Sequence, residues 1–169
     1  MNILIFSDTH GDLQAYQEML SYEQNIDKIY CLGDSGFSLE FLEEKNITSV
    51  RGNYPFGPKV PYDIIENIGG FSLFFTHGHR YFVKFGLSNL KEKAKILKMD
   101  LALYGHTHKA KLIQENQLIL LNPGALSYSR SHLFPSYAKI ILEDHKVDIY
   151  LINLKTQEVF QELHEVKHE

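Results

Sequence analysis

Asp8 and His10 follow an unbroken apolar run, Ile3 to Phe6, and four later apolar runs end in residues of the same kind: Gly33-Asp34, Gly52-Asn53, Thr76-His77 and Gly105-His106-Thr107-His108. Carboxylate, amide and imidazole form a mixed oxygen and nitrogen ligand set. Such a set suits borderline first-row metals such as manganese, iron or zinc, whereas an all-oxygen set suits calcium or magnesium. Seven ligand-type side chains exceed what one four- to six-coordinate ion can use when water must also bind. They match two ions sharing a bridging carboxylate. Taken singly the motifs are weak. Asp-x-His reads more readily as a helix N-cap followed by a surface histidine, Gly-Asp and Gly-Asn recur in turns, and a lone histidine is more often packed or exposed than ligating. Their ordered placement carries the reading, because ligands of open α/β sheets bind beyond the carboxyl ends of strands. Asp8 and His10, two apart, are expected to face one side of an extended chain.

The elements needed to bring these ends together are read from periodicity. The run Ile3 to Phe6 predicts a strand buried on both faces. Leu13, Tyr16, Met19 and Leu20 recur at helical spacing, and Lys28 to Leu32 predicts a second strand. A βαβ unit follows, which places Asp34 beside Asp8. Leu39, Phe41 and Leu42 predict a second helix, and Ile47 to Val50 a third strand that ends at Arg51, Gly52 and Asn53. Three prolines and a glycine make Tyr54 to Pro61 a loop. Ile64 to Ile68 and Phe71 to Phe75 flank Gly69-Gly70 as a hairpin, a polar helix is predicted from Leu87 to Lys98, and Leu101 to Tyr104 is another buried strand. Beyond it, Leu112-Ile113, Leu118 to Leu121, Tyr137 to Leu142, Val147 to Ile152 and Val159 to Leu163 predict strands without intervening helices. This half is expected to be an antiparallel sheet, broken by the loop from Asn122 to Phe134. His164, Lys167, His168 and Glu169 are expected in a frayed or edge segment. The class is α/β, with two mixed sheets facing each other across an apolar core and helices outside.

At 169 residues the chain is expected to form one domain, residues 1–169, and its 44% hydrophobic and 22% charged residues are those of an ordinary globular protein. A formal charge of −4 argues against a general nucleic-acid footprint, so no stable nucleic-acid complex is expected. Lys91, Lys93, Lys95 and Lys98 read as the solvated face of a helix. Cys31 is alone, so no internal disulfide can form. The N-terminal apolar run stops at Ser7 and lacks a basic flank, too short for a signal peptide or a membrane span. A cytoplasmic location with no membrane partner is the resulting expectation.

From Asn2 to about Leu151 the motif series Asp8-x-His10, Gly33-Asp34, Gly52-Asn53, His77 and Gly105-His106-Thr107-His108 resembles that of the calcineurin-like metallophosphoesterase superfamily. The short length, Thr76-His77-Gly78-His79 and the Asn122-Pro123-Gly124 loop are similar to its small YfcE-type phosphodiesterases. The resemblance implies an αββα sandwich with a dinuclear centre. Asp8, His10 and His108 would hold the first metal, and Asn53, His77 and His106 the second. Asp34 would bridge them, with Asp34, Asn53 and His77 at the catalytic centre. The implied cofactors are two divalent ions, manganese first and iron, zinc or nickel as alternatives. The implied activity is hydrolysis of a phosphodiester, such as a nucleotide, by a hydroxide between ions about 3.5–4 Å apart.

Larger members carry a histidine after Gly-Asn, and the small phosphodiesterases usually read Gly-Asn-Cys-Asp, whereas this chain has Tyr54 and Pro55. A phenol with a pKa near 10 is a poor acid for an alkoxide. His79 either orients a ligand, touches substrate or is a coincidental loop histidine. Arg130 could reach a phosphate oxygen, though a surface arginine is the more ready reading. The retromer subunit of the same fold is similar in motif order but serves as a protein-binding scaffold, with ligand positions altered; this sequence keeps all seven. A histidine-rich metal store is a further alternative, and turnover separates both from an enzyme.

Overall fold

The computed structural model describes residues 1–167. Strand β1 (Asn2–Phe6) lies inside a six-stranded sheet, and its alternation accounts for the unbroken apolar run. Ile3 and Ile5 point between the two sheets, whereas Leu4 and Phe6 meet the helices. It pairs in parallel with β2 (Lys28–Cys31), and β2 in parallel with β3 (Ile47–Ser49). Helix α1 (Leu13–Tyr22) starts at Asp12, whose carboxylate accepts from the Ala15 amide at 3.1 Å. Helix α2 (Leu39–Glu44) starts at Ser38, which accepts from Phe41. Ala15, Tyr16, Met19 and Leu42 cover the outer face of this sheet.

The second sheet begins with a hairpin, β4 (Asp63–Ile68) and β5 (Phe71–Thr76). Gly69 (φ 58°) and Gly70 (φ 83°) supply the two left-handed residues that a tight type I′ connection needs. Helix α3 (Ser88–Ile96) packs Leu90 and Ala94 on its outer face, over Phe74, Ala102 and Leu120. Strand β6 (Leu101–Leu103) runs parallel to β5 and to β8 (Leu118–Asn122), and β7 (Lys111–Glu115) closes the edge. Leu73, Phe75, Leu103 and Leu121 face Ile5, Leu32 and Ile140 of the other sheet, so the layers are helix, sheet, sheet, helix as expected.

The expected antiparallel C-terminal sheet is not a unit. β7 and β8 complete the second sheet, with β8 parallel to β6. β9 (Ser136–Glu143), β10 (Lys146–Asn153) and β11 (Val159–Val166) extend the first sheet beyond β1. The hairpins are local and antiparallel, which is why their alternation is legible. Which sheet each joins is decided by pairings such as Ile3 with Ile140 and Leu101 with Ile119. The Asn122–Phe134 segment therefore crosses between sheets. His164 lies on the edge strand β11, and His168 and Glu169 lie outside the described residues. No described helix is long and apolar enough to cross a membrane.

Where the sheets meet near one edge, Tyr30 stacks on Phe75 at 4.2 Å and donates its hydroxyl to Glu66 at 2.7 Å. Lys28 donates to the same carboxylate oxygen at 2.7 Å. Burial pushes the Glu66 carboxyl up, but these two bonds hold it below its ordinary value of 4.5. A depressed carboxylate contributes stability that is present above the unfolded pKa and lost as pH falls through the folded one. Glu66→Gln is expected to cost about 1 kcal/mol at pH 7, a modest figure because both side chains retain solvent access. The difference from wild type should shrink in denaturant melts as the pH is lowered below 4.5.

Candidate metal centre

Backbone hydrogen bonds tie the loop leaving β1 to that leaving β2, and the loop leaving β5 to that leaving β6. The Asp8 and His10 amides donate to the Gly33 and Asp34 carbonyls, each at 3.0 Å, and the Gly105 amide donates to the His77 carbonyl at 3.1 Å. In holding these bonds the chain enters the left-handed region at Asp8 (φ 54°), His10 (50°), Asp34 (50°), His106 (66°) and His108 (59°). Non-glycine residues there carry strain of order 1 kcal/mol or more each, which persists where surrounding structure over-determines it and clusters at functional sites. Asp8 and His10 therefore converge through a turn, because β1 ends at Phe6; extended alternation does not place them.

All seven predicted side chains come together. Ligand atoms of Asp8, His10 and His108 lie within 4.8 Å of one another, and so do those of Asp8, Asp34 and His77. Asn53 Oδ1 is 3.0 Å from His77 Nε2, and the His106 ring is 5.0 Å from the His77 ring, centroid to centroid. The two close groups share Asp8, whose Oδ1 is 3.2 Å from His108 Nε2 and 3.9 Å from both His10 Nε2 and His77 Nε2. Asp34 Oδ2 is 3.4 Å from His77 Nε2.

The donor set fits cations. Asp8 Oδ2 accepts from the Ser7 hydroxyl at 2.6 Å and the His106 amide at 3.0 Å, while Oδ1, fully buried, has no hydrogen-bond partner. An orphaned buried carboxylate oxygen is costly unless a positive charge meets it. His77 Nδ1 donates to the Leu32 carbonyl at 2.6 Å and His108 Nδ1 to the Arg130 carbonyl at 2.8 Å. A carbonyl can only accept, so in the neutral rings each Nε2 carries a lone pair aimed at the carboxylates. Acceptor thus faces acceptor, and the arrangement needs either protons or metal ions between them. Among the described residues neither carboxylate has a lysine or arginine partner.

The electrostatics agree. Burial pushes Asp8 up, but the neighbouring His108 and His77 imidazoles hold it below its ordinary value. Asp34 is opposed by burial in the same way, and His77 and the Tyr54 amide bring it down to about 2. Both are anionic at neutral pH. The Asp8 carboxylate 3.2 Å away pushes His108 up, whereas burial and the charges of His77 and Lys84 push His106 down to about 4. His106 is therefore a neutral ligand-type group without help from a metal.

His79 joins the cluster, its ring 5.4 Å from that of His77 and its buried Nδ1 without a partner. Arg130 contributes a backbone carbonyl to His108 and lines the hollow beside it. Sequence reasoning gave no role to three supports. Ser7 fixes the Asp8 carboxylate. Asn122, buried, donates to the Gly105 carbonyl at 2.9 Å and Thr107 Oγ1 at 3.0 Å, which braces the His106–His108 loop. The glycines of Gly52-Asn53 and Gly105-His106 leave room for Asp34 and for Ser7 with Asp8, respectively. The dipeptides were visible as motifs; which atoms pass over them was not.

Calcineurin-like phosphoesterase superfamily domain is the description of the family model that matches residues 1–145. The chain belongs to this superfamily. It is 29% identical over 145 residues to the probable metallophosphoesterase YsnB of Bacillus subtilis strain 168, covering 85% of this chain and 86% of that one. A predicted phosphoesterase of Streptococcus pneumoniae TIGR4 superposes with a TM-score of 0.84 at 25% identity, covering 98% and 97% of the two chains. Yfce, a phosphoesterase from E. coli, gives 0.72 at 25%, covering 96% and 98%. Vps29 of Cryptosporidium parvum gives 0.79 at 23% over 98% of each chain, a likeness of fold. The chain is thus a calcineurin-like phosphoesterase whose residues include candidate groups for divalent ions.

Proposed function

We propose that this phosphoesterase is a dinuclear phosphodiesterase. Asp8, His10 and His108 would hold one ion, Asn53, His77 and His106 the other, with Asp34 as the carboxylate they would share; manganese would be the preferred metal, ahead of iron, zinc and nickel. The observation that carries this reading is the pair of ligand groups around the partnerless Asp8 Oδ1. When bound, the ions supply positive charge for the phosphoryl oxygens and acidify water near neutral pH. The Leu32 and Arg130 carbonyls hold His77 and His108 with Nε2 presented, and the Tyr54 amide holds Asp34 at 3.0 Å. His10, His106 and His108 are partly open to solvent, the side from which an ester can approach.

Tyr54 does not serve as a built acid. Its side chain is exposed and its ring leans on Phe56 at 5.9 Å, with no hydrogen bond placing its hydroxyl. Esters whose leaving group departs unaided should therefore react best. The test is to strip the protein with a chelator, add manganese, iron, zinc or nickel singly, and compare bis(p-nitrophenyl) phosphate with alkyl phosphomonoesters. Fast diester cleavage with manganese and slow alkyl monoester cleavage is expected. A protein that binds ions but turns over no ester would instead be the protein-binding scaffold or the metal store.

Tyr54→His probes the leaving-group step. Restoring an imidazole acid should raise turnover of alkyl esters by about 10²-fold, the low end of what general acid catalysis supplies, and change aryl esters little. Wild-type protein that already prefers alkyl monoesters over aryl diesters would show that another group delivers the proton.

A further inference from the structure

A groove of about 970 Å³ runs away from the metal centre beneath the loop that follows β5. Lys84 and Thr107 line both this groove and the hollow that contains His106 and His108, so the two adjoin. Lys84, Lys109 and Lys111 line it without an ion-pair partner among the described residues, whereas Lys91 is neutralised by Glu115 at 2.7 Å. Three uncompensated positive charges in one groove stand out in a protein of net charge −4. Phe85, also lining the groove, is 91% exposed. A solvated phenyl ring among lysines is the pairing used to hold single-stranded nucleic acid, the cations following the phosphates and the ring stacking on a base.

We infer that this groove binds the nucleotide chain flanking the scissile bond, so that the substrate is a short single-stranded oligonucleotide. Its next phosphates lie along Lys84, Lys109 and Lys111, and a base stacks on Phe85. The inference rests on the phosphodiesterase reading of the adjacent centre. It is compatible with the acidic overall charge, because three cations give weak, salt-sensitive capture of a substrate, not a stable complex.

Binding is measured on metal-free protein, where no cleavage occurs and the two carboxylates repel every phosphate ligand. The probe is fluorescently tagged hexathymidylate, followed by anisotropy, with dTMP and tripolyphosphate as competitors. An exposed ion pair is worth a fewfold, so hexathymidylate should bind about tenfold tighter than dTMP or more. Its log affinity should fall with log salt with a slope of about −2, near 0.7 per phosphate contacted. Lys111→Glu should weaken hexathymidylate several-fold and flatten that slope. Phe85→Ala should weaken it about fivefold or more through the lost stack. Both side chains are exposed, so both variants should fold, checked by circular dichroism.

Equal affinity for hexathymidylate and dTMP overturns the inference, as does indifference to both substitutions. Tripolyphosphate competing as well as hexathymidylate also overturns it, since the groove would then take bare phosphate chains. Ester turnover with manganese is a separate measurement. Tight oligonucleotide binding without any turnover would sink the phosphodiesterase reading, and turnover without oligonucleotide preference would sink only the groove.

Discussion

Asp34→Ala should reduce phosphodiester turnover by at least about 10³-fold and empty the centre of metal. Charge stabilisation by the ions is worth several kcal/mol at the transition state, and about 4 kcal/mol corresponds to that factor in rate. The Asp34 carboxylate is only 6% exposed, lies 3.4 Å from His77 Nε2 and is held by the Tyr54 amide, so no neighbouring side chain can take its place without rebuilding the loop. Metal content by elemental analysis distinguishes its role from that of Asp8. Loss of both ions fits Asp34 as the bridge. Retention of one ion would move the bridge to Asp8, whose Oδ1 already faces His10, His77 and His108. Two ions and a near-normal rate in the variant would end the assignment altogether.

Gly105→Ala should cost about 10²-fold in turnover although it removes no ligand atom. A methyl group at this position would run into the Ser7 hydroxyl and come within 2.9 Å of Asp8 Oδ2. The Ser7 and His106 bonds to that oxygen aim the opposite oxygen, Oδ1, at the histidines. Displacing supports of this kind typically weakens metal affinity 10- to 100-fold. Overpacking should also lower stability by about 1–3 kcal/mol. Adding Ser7→Ala removes the atom that the methyl meets first, so the double variant should recover part of the lost metal affinity. That recovery would be a non-additivity expected only of groups in contact. Unchanged metal affinity in Gly105→Ala would mean that the loop relaxes without moving Asp8.

The apolar runs and their polar endings already named the strands and the residues that converge at their ends. That follows from short-range physics: a strand buried on both faces must be apolar throughout, as Ile3 to Phe6 is, and a helix on its face must repeat near 3.6, as Leu13, Tyr16, Met19 and Leu20 do. Local hairpins were legible for the same reason, the Gly69-Gly70 turn most clearly.

Long-range pairing was not legible. Alternation in β7 to β11 is the same whichever sheet the strands join, and only contact between Ile3 and Ile140, or Leu101 and Ile119, divides them between two sheets. The centre shows the same division. Residue types alone marked Asp8, His10, Asp34, Asn53, His77, His106 and His108 as a mixed ligand set. How the set is aimed depends on backbone carbonyls and a side-chain amide distant in the chain: the Leu32 carbonyl on His77, the Arg130 carbonyl on His108, and the Asn122 amide donating to the Gly105 carbonyl. Backbone carbonyls leave no trace in residue identity, so those contacts exist only once the chain has folded. The left-handed turns at five of the seven residues arise in the same way, from loops tied to one another across the sheet ends. The amino-acid sequence by itself determined what chemistry this end of the protein could hold; the tertiary structure decided where each lone pair points.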